Sequence, residues 1–231
     1  MAKKNSVLPI IDLHTHSLFS DGLLMPAELV RHAQTAGYHA IVLTDHVEES
    51  NLEMAMDLTV RACETLRDRI GIVLVPGAEI SYVPPRRIPA VAERARELGA
   101  AVLVVHGETL VEPVPPGTNE AALDADIDLL AHPGLISRKL ASRAAERGIS
   151  LEITTRRGHC YSNGHVCRVA REAGAMLTVN NDAHMPGDSL KPEMRRCVAL
   201  GSGMLDAEYE KACRNAVKIL GRRGFRSIPI R

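Results

Sequence analysis

The chain has 231 residues, 45% of them hydrophobic, with 28 acidic and 28 basic side chains that cancel to zero net charge. That length suits one large α/β domain, or two small ones at a stretch, with a sizeable core. A neutral balance argues against a protein whose main task is to hold a long polyanion, but not against a small phosphorylated substrate, which needs only a few local cations.

Aromatic residues are scarce, with no Trp, two Phe and four Tyr, so the core must be packed from Val, Leu, Ile, Ala and Met. Five cysteines at loose spacing form no C-x-x-C pair and, being odd in number, no disulfide framework; they read as buried small hydrophobes. Residues 1–6 run straight into the first strand without an apolar leader, and no apolar run is long enough to cross a bilayer. The expectation is a soluble, reduced, cytoplasmic protein with no membrane partner; the sequence does not reveal an oligomeric state.

In chain order, strand-like runs cover 8–13, 40–43, 72–75, 101–105, 127–131, 149–153 and 176–179. Helical segments lie between them. The first opens near Pro26, buries a stripe of Leu29, Val30 and Ala33, and ends at Gly37. Others cover 87–98, 137–147 and 165–173, and end at Gly99, Gly148 and Gly174, where a left-handed cap is expected. A last helix, about 206–220, precedes the basic run Arg222-Arg223-Gly224-Phe225-Arg226. Repeated βα units with apolar strands predict a parallel sheet covered by helices, either open or closed as a barrel. No G-x-G-x-x-G and no P-loop follows any strand, so nucleotide-binding folds lose their usual support.

The polar residues cluster just after the strands. His14, His16 and Asp21 follow the first, His46 the second, Glu79 the third, His106 the fourth, His132 the fifth, and Asp182 and His184 the seventh. One such histidine is more often hydrogen-bonded structure than a ligand. Six histidines and three carboxylates repeated strand by strand are hard to assign to chance, because an apolar rim costs less to build. His14 and His16 share the two-residue period of a strand face, and Asp182 and His184 have the same spacing. In a parallel barrel all these ends open on one face. Imidazole and carboxylate suit Zn²⁺, Mn²⁺ or Fe²⁺ rather than a soft ion, so the residues alone point to a multinuclear metallohydrolase.

Asp12-Leu13-His14-Thr15-His16, Ser20-Asp21-Gly22, Thr44-Asp45-His46, Glu79, His106, His132 and Asp182-Ala183-His184 resemble the motifs of the PHP (polymerase and histidinol phosphatase) superfamily over residues 12–184, with all nine ligand positions filled. The resemblance implies one PHP domain over residues 1–231: a distorted, TIM-like (β/α)7 barrel with its metal site at the strand C-terminal face. It implies two to three divalent ions. His14, His16, Glu79 and Asp182 would hold the first. Glu79 would bridge to a second on His106 and His132, and Asp21, His46 and His184 would hold a third. Glu79, Asp182 and His184 are the expected catalytic residues, and a hydroxide shared by the ions is the expected nucleophile toward phosphorus.

Around these ligands, Asp12 and Asp45 either accept a hydrogen bond from a ligand imidazole or are paired elsewhere. Arg156 and Arg157, after the sixth strand, either bind substrate phosphate or are solvated loop charges. His159, Arg86-Arg87 and Arg138-Lys139 are weaker candidates for the same role. Glu108 is a base behind the ligands or a plain surface acid. A structural zinc at Cys160, Cys167 and His165 lacks an evident fourth ligand. The Pro-rich loops 81–86 and 111–118 are pocket walls or rigid connectors. The expected activity is hydrolysis of a small phosphate monoester, possible examples including histidinol phosphate. The rivals are a phosphodiesterase or exonuclease of the same superfamily, disfavoured by the neutral charge, and a non-catalytic metal-binding module.

Overall fold

The computed structural model describes residues 8–67, 69–189 and 191–228; residues 1–6, on which the expectation of no apolar leader rests, lie outside them. Eight parallel segments, β1 (Ile11–Thr15), β2 (Ala40–Leu43), β3 (His46–Val47), β4 (Val73–Ile80), β5 (Val102–His106), β6 (Leu129–Ala131), β7 (Ser150–Thr154) and β8 (Met176–Asn180), pair in the order β1-β2-β4-β5-β6-β7-β8. β2 and β3 occupy one position in the wall. Ala40 to Leu43 pair with Val73 to Pro76, and after a break at Thr44-Asp45, His46 and Val47 pair with Glu79 and Ile80. The seven expected wall positions are therefore present, and the third strand is longer than expected, so Glu79 lies on it and not in the turn beyond.

The sheet is a nearly closed barrel. Thr15 bridges to Ala183, and the His16 N–H donates to the Ala183 carbonyl at 2.8 Å. Lower in this seam side chains replace ladder bonds: Leu13 N donates to Asn180 Oδ1 at 3.0 Å, and the buried Arg195 guanidinium donates to the carbonyls of Ile11 and Val179. Buried backbone acceptors need partners wherever a ladder is missing.

Among the described residues eight α-helices surround the sheet: α1 (Pro26–Ala36), α2 (Leu52–Leu66), α3 (Ile88–Glu97), α4 (Thr118–Ala122), α5 (Arg138–Arg147), α6 (Asn163–Ala173), α7 (Pro192–Gly201) and α8 (Asp206–Arg222). The glycines at 37, 99, 148 and 174 all adopt positive φ, as the cap pattern predicts. Strand side chains alternate: Val102 and Val104 join Ile11, Leu13, Val42 and Leu129 inside the barrel, while Leu103 and Val105 face the helices. The second half of α8 (Ala216, Ile219, Leu220) joins the interior cluster, away from the histidine-bearing strand ends. Each buried Val, Leu or Ile contributes about 1.5–3 kcal/mol, so this aliphatic lining holds the barrel without large aromatics. Among the described residues no helix is long and apolar enough to cross a membrane.

Candidate metal centre

The site starts from an irregularity in β1. Asp12 pairs with Ile41 and Thr15 with Leu43, so β1 carries one extra residue against β2. Such a bulge re-aims side chains. Leu13 stays in the interior cluster and His14 turns inward beside it, with His16 two residues on at a ring-centroid distance of 5.0 Å. Asp12 is sent the other way. Its carboxylate accepts from His14 N, Asn181 N and Asn181 Nδ2, beside Arg195, and not from an imidazole. Burial pushes its pKa up to about 6 against the opposing pull of Arg195.

Glu152 takes the role considered for Asp12. It is fully buried on β7, and its Oε1 accepts from His14 Nδ1 at 2.9 Å and from Asn180 Nδ2 at 2.9 Å. Its Oε2 accepts from His132 N at 3.0 Å. With Nδ1–H donated, His14 presents its Nε2 lone pair to the interior, 3.2 Å from Glu79 Oε2 and 3.7 Å from Asp182 Oδ1. Asp45 likewise does not hold an imidazole. It accepts from Ser17 N, Ser17 Oγ and Ser20 Oγ, and so fixes the loop that carries Asp21.

Glu79 stands at the centre. Its Oε2 lies 3.2 Å from His14, 3.5 Å from His16 and 2.9 Å from His46, and its Oε1 is 3.8 Å from His132. Asp182 touches His16 at 3.2 Å and His132 at 3.7 Å. Asp21 Oδ1 is 3.2 Å from His184 Nε2 and 3.6 Å from His46 Nε2. All nine rim residues come together. Their donor atoms form overlapping groups: His14, Glu79 and His132; His14, His16 and Asp182; His16, Asp21, His46 and His184. A fourth group joins His106 and His132 to His159.

Backbone strain concentrates in the same place. Among the described residues, Tyr82 (φ 58°), His132 (φ 25°) and Asp182 (φ 54°) are the non-glycine residues with positive φ, and all three line one cavity of about 440 Å³.

The electrostatics are those of a site built for cations. Burial pushes the Glu79 carboxyl up, but His14, His46 and His106 outweigh it and hold the group well below the carboxylate range. Burial, with His46 and His184, holds His16 well below the usual imidazole value, and burial with His106 does the same to His132. His14 and His46 go the other way: burial lowers them, but Glu79 and its neighbouring carboxylates outweigh it, taking His46 up to about 9. Buried nitrogens of His14, His16, His106 and His132 and both oxygens of Glu79 have no hydrogen-bond partner. Buried polar atoms are costly to leave unpaired; a metal ion on these donors satisfies them, and imidazole with carboxylate is a fitting set for Zn²⁺, Mn²⁺ or Fe²⁺.

The other expected residues separate. Arg156 lines the cavity and pairs with Asp188 at 2.9 Å, while Asp188 also accepts from His184 N. Arg157 is exposed and lines a neighbouring cleft instead. His159 is buried at the cavity wall, stacked on His132 at 4.2 Å. Arg87 is spent on Glu49 at the surface, and Arg86, Arg138 and Lys139 do not line the cavity. Glu108 is neither a base nor a plain surface acid: its Oε1 accepts from Gly117 N and Asn119 N and so braces the Pro-rich loop. Among the described residues, Cys160, Cys167 and His165 form no metal-holding group; both thiols are free and His165 Nε2 bonds Ile136 O. Both Pro-rich loops wall the cavity, through Ser81, Tyr82 and Glu112. Glu112 was not singled out by spacing, and its carboxyl is held low by hydrogen bonds from His106, His159 and Tyr82.

Comparison with known proteins agrees with this geometry. The PHP domain family matches residues 12–123. An uncharacterized protein of Methanocaldococcus jannaschii is 44% identical over 201 residues, covering 86% of this chain and 92% of that one. A 5′-3′ exoribonuclease of Haemophilus influenzae is 39% identical over 70 residues, 30% of this chain and 23% of that protein. Among solved structures, the histidinol phosphate phosphatase of Lactococcus lactis, complexed with zinc, L-histidinol and phosphate, superposes with a TM-score of 0.60 at 16% identity, over 85% of this chain and 94% of that one.

Proposed function

This chain belongs to the PHP family, and from that premise we propose that it is a metal-dependent phosphoesterase that hydrolyses a small phosphate monoester at a trinuclear centre. The observation that carries the reading is the convergence of nine acidic and imidazole side chains, five of which (His14, His16, Glu79, His106 and His132) carry buried polar atoms with no hydrogen-bond partner. His14, His16, Glu79 and Asp182 would hold one ion, His106 and His132 with Glu79 a second, and Asp21, His46 and His184 a third. Bound divalent ions supply a water of lowered pKa and a clamp on phosphoryl oxygens.

The chain's own residues do the rest. Glu152 holds His14 in the tautomer that faces inward, and through His132 N it sets a second ligand. Asp188 joins Arg156 to the His184 backbone, placing a guanidinium at the cavity wall where it can fork onto phosphoryl oxygens. The cavity, about 440 Å³, has the dimensions of a pocket for a small ligand. Histidinol phosphate is one candidate, supported by the shared fold of the Lactococcus lactis phosphatase.

A second reading, cleavage of a phosphodiester, is favoured by the local similarity to the exoribonuclease. Hydrolysis of an aryl phosphate compared with the corresponding diaryl phosphate separates the two. Monoester cleavage is expected; cleavage of the diester alone would replace the first reading with the second.

A further inference from the structure

Glu112 and His159 line the cavity and stand outside the nine. Glu112 arrives on the loop after β5 and His159 on the loop after β7. Glu112 Oε2 is 3.1 Å from His106 Nε2, and its Oε1 is 3.3 Å from His159 Nε2. Donor atoms of His106, His132 and His159 lie within 4.8 Å of one another. His159 Nδ1 is held by Thr109 Oγ1 at 2.7 Å. That leaves Nε2 directed at the cavity, as in an imidazole ligand whose other nitrogen is fixed by a hydrogen bond. Ligands about 2.0–2.1 Å from one ion at tetrahedral angles stand roughly 3.3 Å apart, close to the 3.1 and 3.3 Å of the two Glu112 contacts.

The carboxylate is delivered and braced. Pro113, Pro115 and Pro116 restrict the loop backbone. Glu108 ties the far end of the loop through Gly117 and Asn119, and Asn119 Nδ2 donates to Pro133 O at 2.9 Å, linking the loop to the turn after His132. The Tyr82 hydroxyl donates to Glu112 Oε2 at 2.7 Å.

We propose that Glu112 and His159 are two further metal ligands, which with Glu79, His106 and His132 complete the second ion's site, three imidazoles and two carboxylates suited to Zn²⁺ or Fe²⁺. The inference rests on the metal-centre reading above and adds to it: one ion is gripped by loop residues and is covered on its cavity side.

The test is zinc release from the loaded protein into a chromophoric chelator, followed by stopped flow for the wild type, Glu112→Gln, His159→Gln and Val111→Ala. In Glu112→Gln and His159→Gln, one ion is expected to move to a phase at least about 10-fold faster, with the remaining release unchanged. Val111→Ala, in the same loop but without a donor atom, is expected to keep the wild-type trace. Glu112 is partly exposed, so its isosteric amide leaves packing intact. Glu112→Gln traces superimposable on wild type would overturn the proposal, and so would an equal acceleration in Val111→Ala, which would assign the effect to the loop. A wild-type protein that takes up no zinc would overturn the metal centre as a whole, an outcome distinguishable from the other two.

Discussion

Glu152→Gln tests the support of the centre without touching a proposed ligand. The carboxylate accepts three hydrogen bonds, from His14 Nδ1 and Asn180 Nδ2 on one oxygen and from His132 N on the other. Glutamine has the same shape but one acceptor oxygen. If that oxygen keeps His14 and Asn180, the amide group faces the His132 N–H, donor against donor; if it flips, two side-chain donors lose their acceptor instead. Either way a buried polar group is left unmatched, at a cost of about 1–3 kcal/mol. For a chain of this size that corresponds to a fall in melting temperature of roughly 2–4 °C per kcal/mol. His14 also loses the anion behind its ring, and loss of such a partner weakens metal binding by about 10–100-fold. Thermal unfolding of the metal-free protein and zinc competition with a chelator measure the two effects separately. A variant with wild-type melting temperature and wild-type zinc affinity would refute the assignment of Glu152 as the residue that orients His14 and His132.

Three further outcomes are expected. Gly134→Ala places a Cβ 1.9 Å from the Glu108 carbonyl oxygen at a φ of +59°; the metal-free protein should melt lower, and an unchanged melting curve would contradict the packing of the two rim turns. Arg156→Ala should raise KM for a phosphate monoester by about 10-fold or more, from the loss of a charge-assisted hydrogen bond, with zinc content unchanged; an unaltered KM would remove Arg156 from substrate binding. The raised imidazoles give a pH dependence. His46 is lifted from the ordinary 6.5 to about 9, burial opposing and Glu79 prevailing. Its charged form therefore stabilises the metal-free fold fully below pH 6.5, and that contribution is lost as the pH rises through about 9. At pH 7 a metal must displace that proton and the one on His14, so binding should release protons. Calorimetry in buffers of different ionisation enthalpy reads the number; zero released protons would contradict the assignment.

Much of this was legible in the sequence, for physical reasons. Apolar runs closed by glycine-capped helices predict βα units, and ligand residues at strand ends need only short-range spacing to be seen. The parts that were hidden depend on register. Ser150-Leu151-Glu152-Ile153-Thr154 alternates polar and apolar, which is the signal that a polar face turns into the barrel, yet the apolar members also fit a fully buried strand. The bulge that sends Asp12 outward and His14 inward leaves no mark in the residues themselves. Arg195 in the β1–β8 seam and Glu112 over His106 act across 184 and 6 positions of sequence respectively, the first invisible to local pattern and the second in a loop whose prolines suggested a pocket wall or a stiff connector but singled out no residue.

Metal-dependent hydrolysis is tested most simply by phosphate release from an aryl phosphate, measured on chelator-stripped protein and again after titration with Zn²⁺ or Mn²⁺. Turnover is expected to be negligible without metal, to recover with saturation at two to three ions per chain, and not to recover in His14→Ala or Glu79→Ala. Equal turnover by the stripped and the reloaded protein would contradict a metal-dependent mechanism.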